Sequence, residues 1–106
     1  MFDDIIDTVS PAWEAMTVPA LNTPVQMLSV CDVDGRLRPL RFRYEDGQHQ
    51  LQTVQVREVL VARELSYVGL QVYQYVCKAA CNGLELLFEL RYTVRTHRWV
   101  LYRMIN

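Results

Sequence analysis

The chain has 106 residues, 51% apolar and 22% charged, with a net charge of −1 and a pI near 6.1. One domain of this length buries roughly 60 to 65% of its unfolded surface without disulfides or metal, and the composition excludes disordered and fibrous classes. No apolar run approaches the roughly 18 residues of a membrane span, and the start Met1-Phe2-Asp3-Asp4 lacks the basic segment of a signal peptide, so a cytoplasmic location and no membrane contact are expected.

Residues 1–24 read as an acidic arm and linker. Phe2, Ile5, Ile6 and Val9 fall at i, i+3, i+4 and i+7, the spacing of an amphipathic helix. Asp3 and Asp4 stand where a helix N-terminus favours negative charge. Ser10-Pro11 ends that pattern and can start a second short turn carrying Trp13. Pro19, Asn22 and Pro24 make residues 17–24 an irregular connector. The arm holds Asp3, Asp4, Asp7 and Glu14 and no Lys or Arg, a local charge of −4. The remainder holds 11 basic and 8 acidic residues, hence +3, and ten of the 11 are arginine.

From residue 25 onward the pattern changes to period 2, the signature of half-buried strands. In residues 25–33, Val25, Met27, Ser29 and Cys31 alternate with Gln26, Leu28 and Val30, and Asp34-Gly35 supplies a hairpin turn. Residues 36–45 follow, with Leu40, Phe42 and Tyr44 on one face and Arg41 and Arg43 on the other. Pro39 suits the start or edge of that strand, and Asp46-Gly47 repeats the turn signal. Between residues 49 and 65 the phase of the valines shifts by one near Arg57-Glu58, which predicts a bulge or corner in one long strand or between two.

After a turn over residues 66–69, residues 70–80 set Val72 and Val76 against Tyr73, Tyr75 and Cys77. Asn82-Gly83 then leads into two closing runs, residues 84–94 and 97–105. In the first, Leu84, Leu86, Phe88, Leu90 and Tyr92 occupy alternate positions, with Glu85, Glu89 and Arg91 between them. The second is apolar on both sides through its middle and reads as a central strand. Its tip, Arg95-Thr96-His97, has no Gly or Asn, so a loop longer than a two-residue turn is expected.

The expected fold is mainly β: about six antiparallel strands over residues 25–106, rolled into a small open barrel or strongly bent sheet, with a short N-terminal helical arm.

Chemistry is sparse. Cys31, Cys77 and Cys81 are odd in number and read as reduced core thiols. A metal site would need His49 and His97 to converge on them, and Cys77 and Cys81 are spaced wider than a CxxC ligand pair. No metal or cofactor is expected. The chain shows no phosphate-cradling glycine loop and no nucleophile with a recognisable base. His97 beside Arg95 and Arg98 is the one candidate centre for chemistry on an anion.

Residues 34–44 (Asp-Gly-Arg-Leu-Arg-Pro-Leu-Arg-Phe-Arg-Tyr), the valine-rich bend to Val61 and the closing Arg98-Trp99-Val100-Leu101-Tyr102-Arg103-Met104-Ile105 resemble a small β domain. That domain occurs at the C-terminus of bacterial damage-response proteins related to Y-family DNA polymerases, and as short stand-alone proteins. The resemblance covers about residues 25–105 and departs from the domain where Tyr67, Tyr73 and Tyr75 stand in place of a central tryptophan. It implies an accessory rather than catalytic role, near DNA repair or replication, and no catalytic residue.

Two uses of the surface compete. A noncatalytic interaction or adaptor module, with a protein partner or self-association, would use Trp13, Leu87, Arg91, Trp99 and Tyr102. A single-stranded nucleic-acid binder would use Arg41, Arg43, Arg95, Arg98 and Arg103 beside sheet aromatics. Parity weighs against the second, because Tyr44 and Tyr92 share a face with Phe42, Phe88 and Leu90 and so belong to the core. The simplest reading of the arginines is a solvated face over that core.

Overall fold

The computed structural model describes residues 22–81 and 83–105. Seven antiparallel strands form one sheet: β1 Thr23–Cys31, β2 Leu37–Glu45, β3 Leu51–Gln55, β4 Glu58–Tyr67, β5 Leu70–Cys81, β6 Leu84–Thr93 and β7 Arg98–Met104. Their order, β3-β2-β1-β7-β6-β5-β4, coils into an open half-barrel, and no helix occurs among the described residues. The helical arm expected near the N-terminus lies outside them. The expected boundary at residue 24 moves, however, because Thr23 and Pro24 already belong to β1 and pair with Leu101 and Val100 of β7. Proline is tolerated there because it sits near the first residue of a strand.

The phase shift in the valines becomes a corner. β3 is one margin of the sheet and β4 the other, yet only Val56 and Arg57 separate them. The Val56 N–H donates to the Leu40 carbonyl (2.9 Å) and the Arg57 N–H to the Lys78 carbonyl (2.8 Å). Two residues thus draw both margins together at one end. A register shift between Val59 and Val61 adds a bulge just after the corner, which increases local twist.

Turn chemistry follows the sequence at some connections and departs from it at others. Gly35 takes φ +88° after Asp32, whose carbonyl accepts from the Gly35 N–H at 2.9 Å. In the β2–β3 loop the left-handed residue is His49 (φ +61°), not Gly47. The Asp46 carboxylate organises that loop by accepting from the N–H groups of Gln48 (2.8 Å) and Gln50 (3.0 Å). The β6–β7 loop is four residues long and closes with His97 at φ +57°. Its Nδ1 hydrogen bonds with the Tyr92 hydroxyl at 2.8 Å, so a side-chain contact holds a backbone that glycine would adopt freely.

The inner face is the core. Phe42, Tyr44, Val54, Cys77, Leu86, Phe88, Leu90 and Leu101 are buried there, and Phe42 meets Phe88 edge to face at 5.5 Å. Beside these side chains the inner face carries a cross-strand aromatic row. Tyr73, Tyr92 and Trp99 stand opposite one another on β5, β6 and β7, with ring centroids 5.9 and 5.0 Å apart. Tyr75 joins Trp99 at 5.4 Å and donates its hydroxyl to the Leu37 carbonyl at 2.6 Å. Burial pushes the Tyr75 phenol up to about 12, with smaller contributions from Tyr73, Cys77 and Tyr92. Its proton is therefore fixed as a donor.

Candidate interaction surface

Residues directly opposite in an antiparallel pair share a face. The register therefore places Arg41, Arg43, Arg63, Arg91, Arg98 and Arg103 on the outer face of the sheet, away from Phe88 and Leu90. The aromatics divide the other way. Tyr44, Tyr75 and Trp99 are buried inside, and Tyr67 and Tyr102 are the tyrosines of the outer face.

At the centre of that face stands Glu89, fully buried although it belongs to the polar side of β6. One carboxylate oxygen accepts from Arg103 Nε at 2.7 Å, and the other from Arg91 Nε at 2.6 Å and Gln74 Nε2 at 2.9 Å. Arg63 Nε donates to Gln74 Oε1 at 2.7 Å and extends the network to β4. The Arg91 guanidinium lies 3.7 Å over the Tyr102 ring, a cation–π contact, and its Nη1 reaches the Tyr67 hydroxyl at 3.4 Å. Burial alone would raise the Glu89 pKa, but the hydrogen bonds from Arg103, Arg91 and Gln74 outweigh it and hold the carboxyl below its usual range. For Arg91, burial works against the charge, and Glu89 more than offsets it.

The charge count in this cluster does not balance. Two guanidinium groups, Arg91 and Arg103, share the one carboxylate, and a third, Arg63, joins the network only through the Gln74 amide. Arg103 uses only Nε and its side chain is half exposed, which leaves its Nη nitrogens without a partner among the described residues. Such a cluster is a pre-ordered array of donors with excess positive charge, suited to carboxylate or phosphate oxygens.

The residues singled out in the sequence fall into three groups. Arg91, Tyr102 and Arg103 meet in this cluster, and Leu87 lies half-buried on the same face. Trp99, at 8% exposure, is a core residue between Tyr75 and Tyr92. Trp13 lies outside the described residues. Arg41 and Arg43 line a separate shallow depression of about 410 Å³ with Gln26, Leu28 and Thr53. Arg98 and Arg95 are exposed at the β6–β7 connection. The sequence reading missed Glu89, Gln74 and Tyr67. Glu89 and Arg91 share a face at i, i+2, which was a legible signal, but the partnership with Arg103 and Gln74 depends on strand register.

Among the described residues, His97 contacts the hydroxyl and ring of Tyr92. His49 pairs with Glu45 at 2.9 Å in an exposed loop. Burial pushes the Cys77 thiol up to about 12, which keeps it protonated and unreactive. Cys31 is exposed, and the side chain of Cys81 is outside the described residues. Among the described residues no three His, Cys, Asp or Glu side chains stand close enough to share a metal ion, and no helix is long and apolar enough to cross a membrane. Compared with known proteins, the chain matches no family model, no curated protein and no solved structure.

Proposed function

We propose that the chain is a noncatalytic interaction module whose outer sheet face receives an acidic polypeptide segment of a protein partner. The observation that carries this reading is the Glu89 network: it orders Arg63, Arg91 and Arg103 on one rigid surface while neutralising only one of their charges. Long arginine side chains lose rotamer freedom when they bind, and prior ordering reduces that cost. The resemblance to the accessory β domain of damage-response proteins agrees with an adaptor role beside DNA repair or replication proteins.

Single-stranded nucleic acid fits the same face less well. Stacking platforms need open aromatic rings beside cations, and here the aromatic row is turned inward, while Tyr102 is already covered by Arg91. The exposed pair Arg41 and Arg43, which form no ion pair among the described residues, is the feature that speaks for it.

Fluorescence anisotropy with a labelled oligo-glutamate peptide and a labelled single-stranded oligonucleotide separates the two. The peptide is expected to bind at low ionic strength and to weaken about tenfold in Arg103→Ala with Arg98→Ala, about 1.4 kcal/mol. Absence of peptide binding at low salt refutes the proposal. Oligonucleotide binding that falls steeply with salt and with Arg41→Ala and Arg43→Ala moves the assignment to nucleic acid.

A further inference from the structure

The arginine cluster lies at the point where the acidic segment joins the sheet. Thr23 pairs with Leu101, and the Asn22 N–H donates to the Tyr102 carbonyl at 3.3 Å. Tyr102 is the residue whose ring carries Arg91, and Arg103 follows it in β7. Asn22 is left-handed at φ +54°, which bends the chain out of the extended course of β1 at this position. Upstream stand 21 residues with Asp3, Asp4, Asp7 and Glu14 and no basic side chain. At roughly 3.3 Å per extended residue such a segment spans several strand widths, so reach is not limiting.

Charge and hydrophobicity match independently. The segment carries four carboxylates, and the cluster carries three guanidinium groups with one carboxylate of its own, Arg63 bonding to Gln74 instead. The apolar set Phe2, Ile5, Ile6 and Val9 has, on the same outer face, Val76, Leu87 and Val100 beside the arginines. Tethering raises the effective concentration of an intramolecular ligand to about the millimolar range, so weak contacts suffice to fill the face.

We infer that residues 1–21 of the same chain are the resident occupant of the Arg63/Arg91/Arg103 face, and that an acidic partner must displace them. The displacement rests on the function proposed above; the resident contact does not. The segment then sets the threshold for binding: a partner succeeds when its own carboxylates outcompete the tethered ones, and any modification that adds negative charge to the arm raises that threshold.

The test uses the full chain and a variant carrying Asp3→Asn, Asp4→Asn, Asp7→Asn and Glu14→Gln, which leaves every sheet residue unchanged. The Nε–H resonances of Arg63, Arg91 and Arg103 in ¹⁵N NMR are expected to move between the two proteins, with Arg36 and Arg57 unmoved, and the differences are expected to be independent of protein concentration. The variant is expected to bind labelled oligo-glutamate about tenfold more tightly than the native chain, a gap that closes as salt is added. Identical arginine resonances overturn the resident contact, as do differences that emerge only as concentration rises, which assign the arm to a second copy. Equal peptide affinities with shifted resonances overturn the displacement alone. Shifted resonances with no peptide binding to either protein keep the contact and refute the function proposed for the face.

Discussion

Glu89 shows how one side chain couples stability to surface. A carboxylate removed from water is costly unless it is paired and hydrogen-bonded, and breaking such a pair costs about 3–5 kcal/mol when both partners are enclosed. Arg103 is half exposed and can turn to solvent. Glu89→Gln is therefore expected to destabilise by less than that, about 2–3 kcal/mol. The pH dependence follows from the direction of the shift. Unfolded, Glu89 titrates near the ordinary value of about 4.3; folded, it titrates lower. As pH falls the unfolded chain takes up the proton first, so the contribution is complete above the ordinary value and is lost through the folded one. Urea denaturation of both proteins at neutral pH and across the acid range checks this: the difference between them is expected to shrink below about pH 4. A difference that stays constant into strong acid would place the stabilisation elsewhere.

The elements show what a sequence reveals about strands and what it hides. Six runs of alternating residues become the seven strands, because period 2 is imposed by the pleat and reads directly from positions such as Phe42, Tyr44, Phe88 and Leu90. The turns were less legible. Glycine signals positive φ at Gly35, but His49, Val68 and His97 take the same conformation, held by neighbouring hydrogen bonds or by the hairpin itself. Glu89 was hidden for a related reason: its burial comes from register with Gln74 and Arg103, and register is not a property of one strand. Val68 is the most strained of these turn residues. It is β-branched, fully exposed and at φ +46° in the two-residue turn between Tyr67 and Leu70. A left-handed backbone costs such a residue about 1–2 kcal/mol. Val68→Asn is expected to raise stability by about 1 kcal/mol, measured as a higher urea midpoint with unchanged slope; a lower midpoint would show that the turn conformation is not the native one.

At the scale of the molecule the fold is two meanders. β1-β2-β3 and β4-β5-β6-β7 are each built from neighbours in sequence, and the corner at Val56 and Arg57 joins them. Alternation explains why the outer face collects the arginines: it sends Phe42, Tyr44, Phe88, Leu90 and Leu101 into one shared interior and Arg41, Arg43, Arg91 and Arg103 to the opposite side. The −4 charge of residues 1–24 and the arginines of the strands were both legible in the sequence, whereas the place of Asn22 beside Tyr102 needed the pairing of β1 with β7.

That pairing is short. Thr23, Pro24 and Val25 against Leu101, Val100 and Trp99 form the ladder that joins the two meanders, and its partners are the most distant in sequence of any adjacent strands. Hairpin contacts close small loops, whereas this ladder closes nearly the whole described chain, and loop entropy delays such contacts. It should consequently assemble after the rate-limiting barrier. Val25→Ala is expected to hasten unfolding while leaving the refolding rate nearly unchanged, a φ-value near zero in chevron measurements. A slowed refolding arm would instead make this distant seam the nucleus, and the chain would then have to find its two ends before its hairpins.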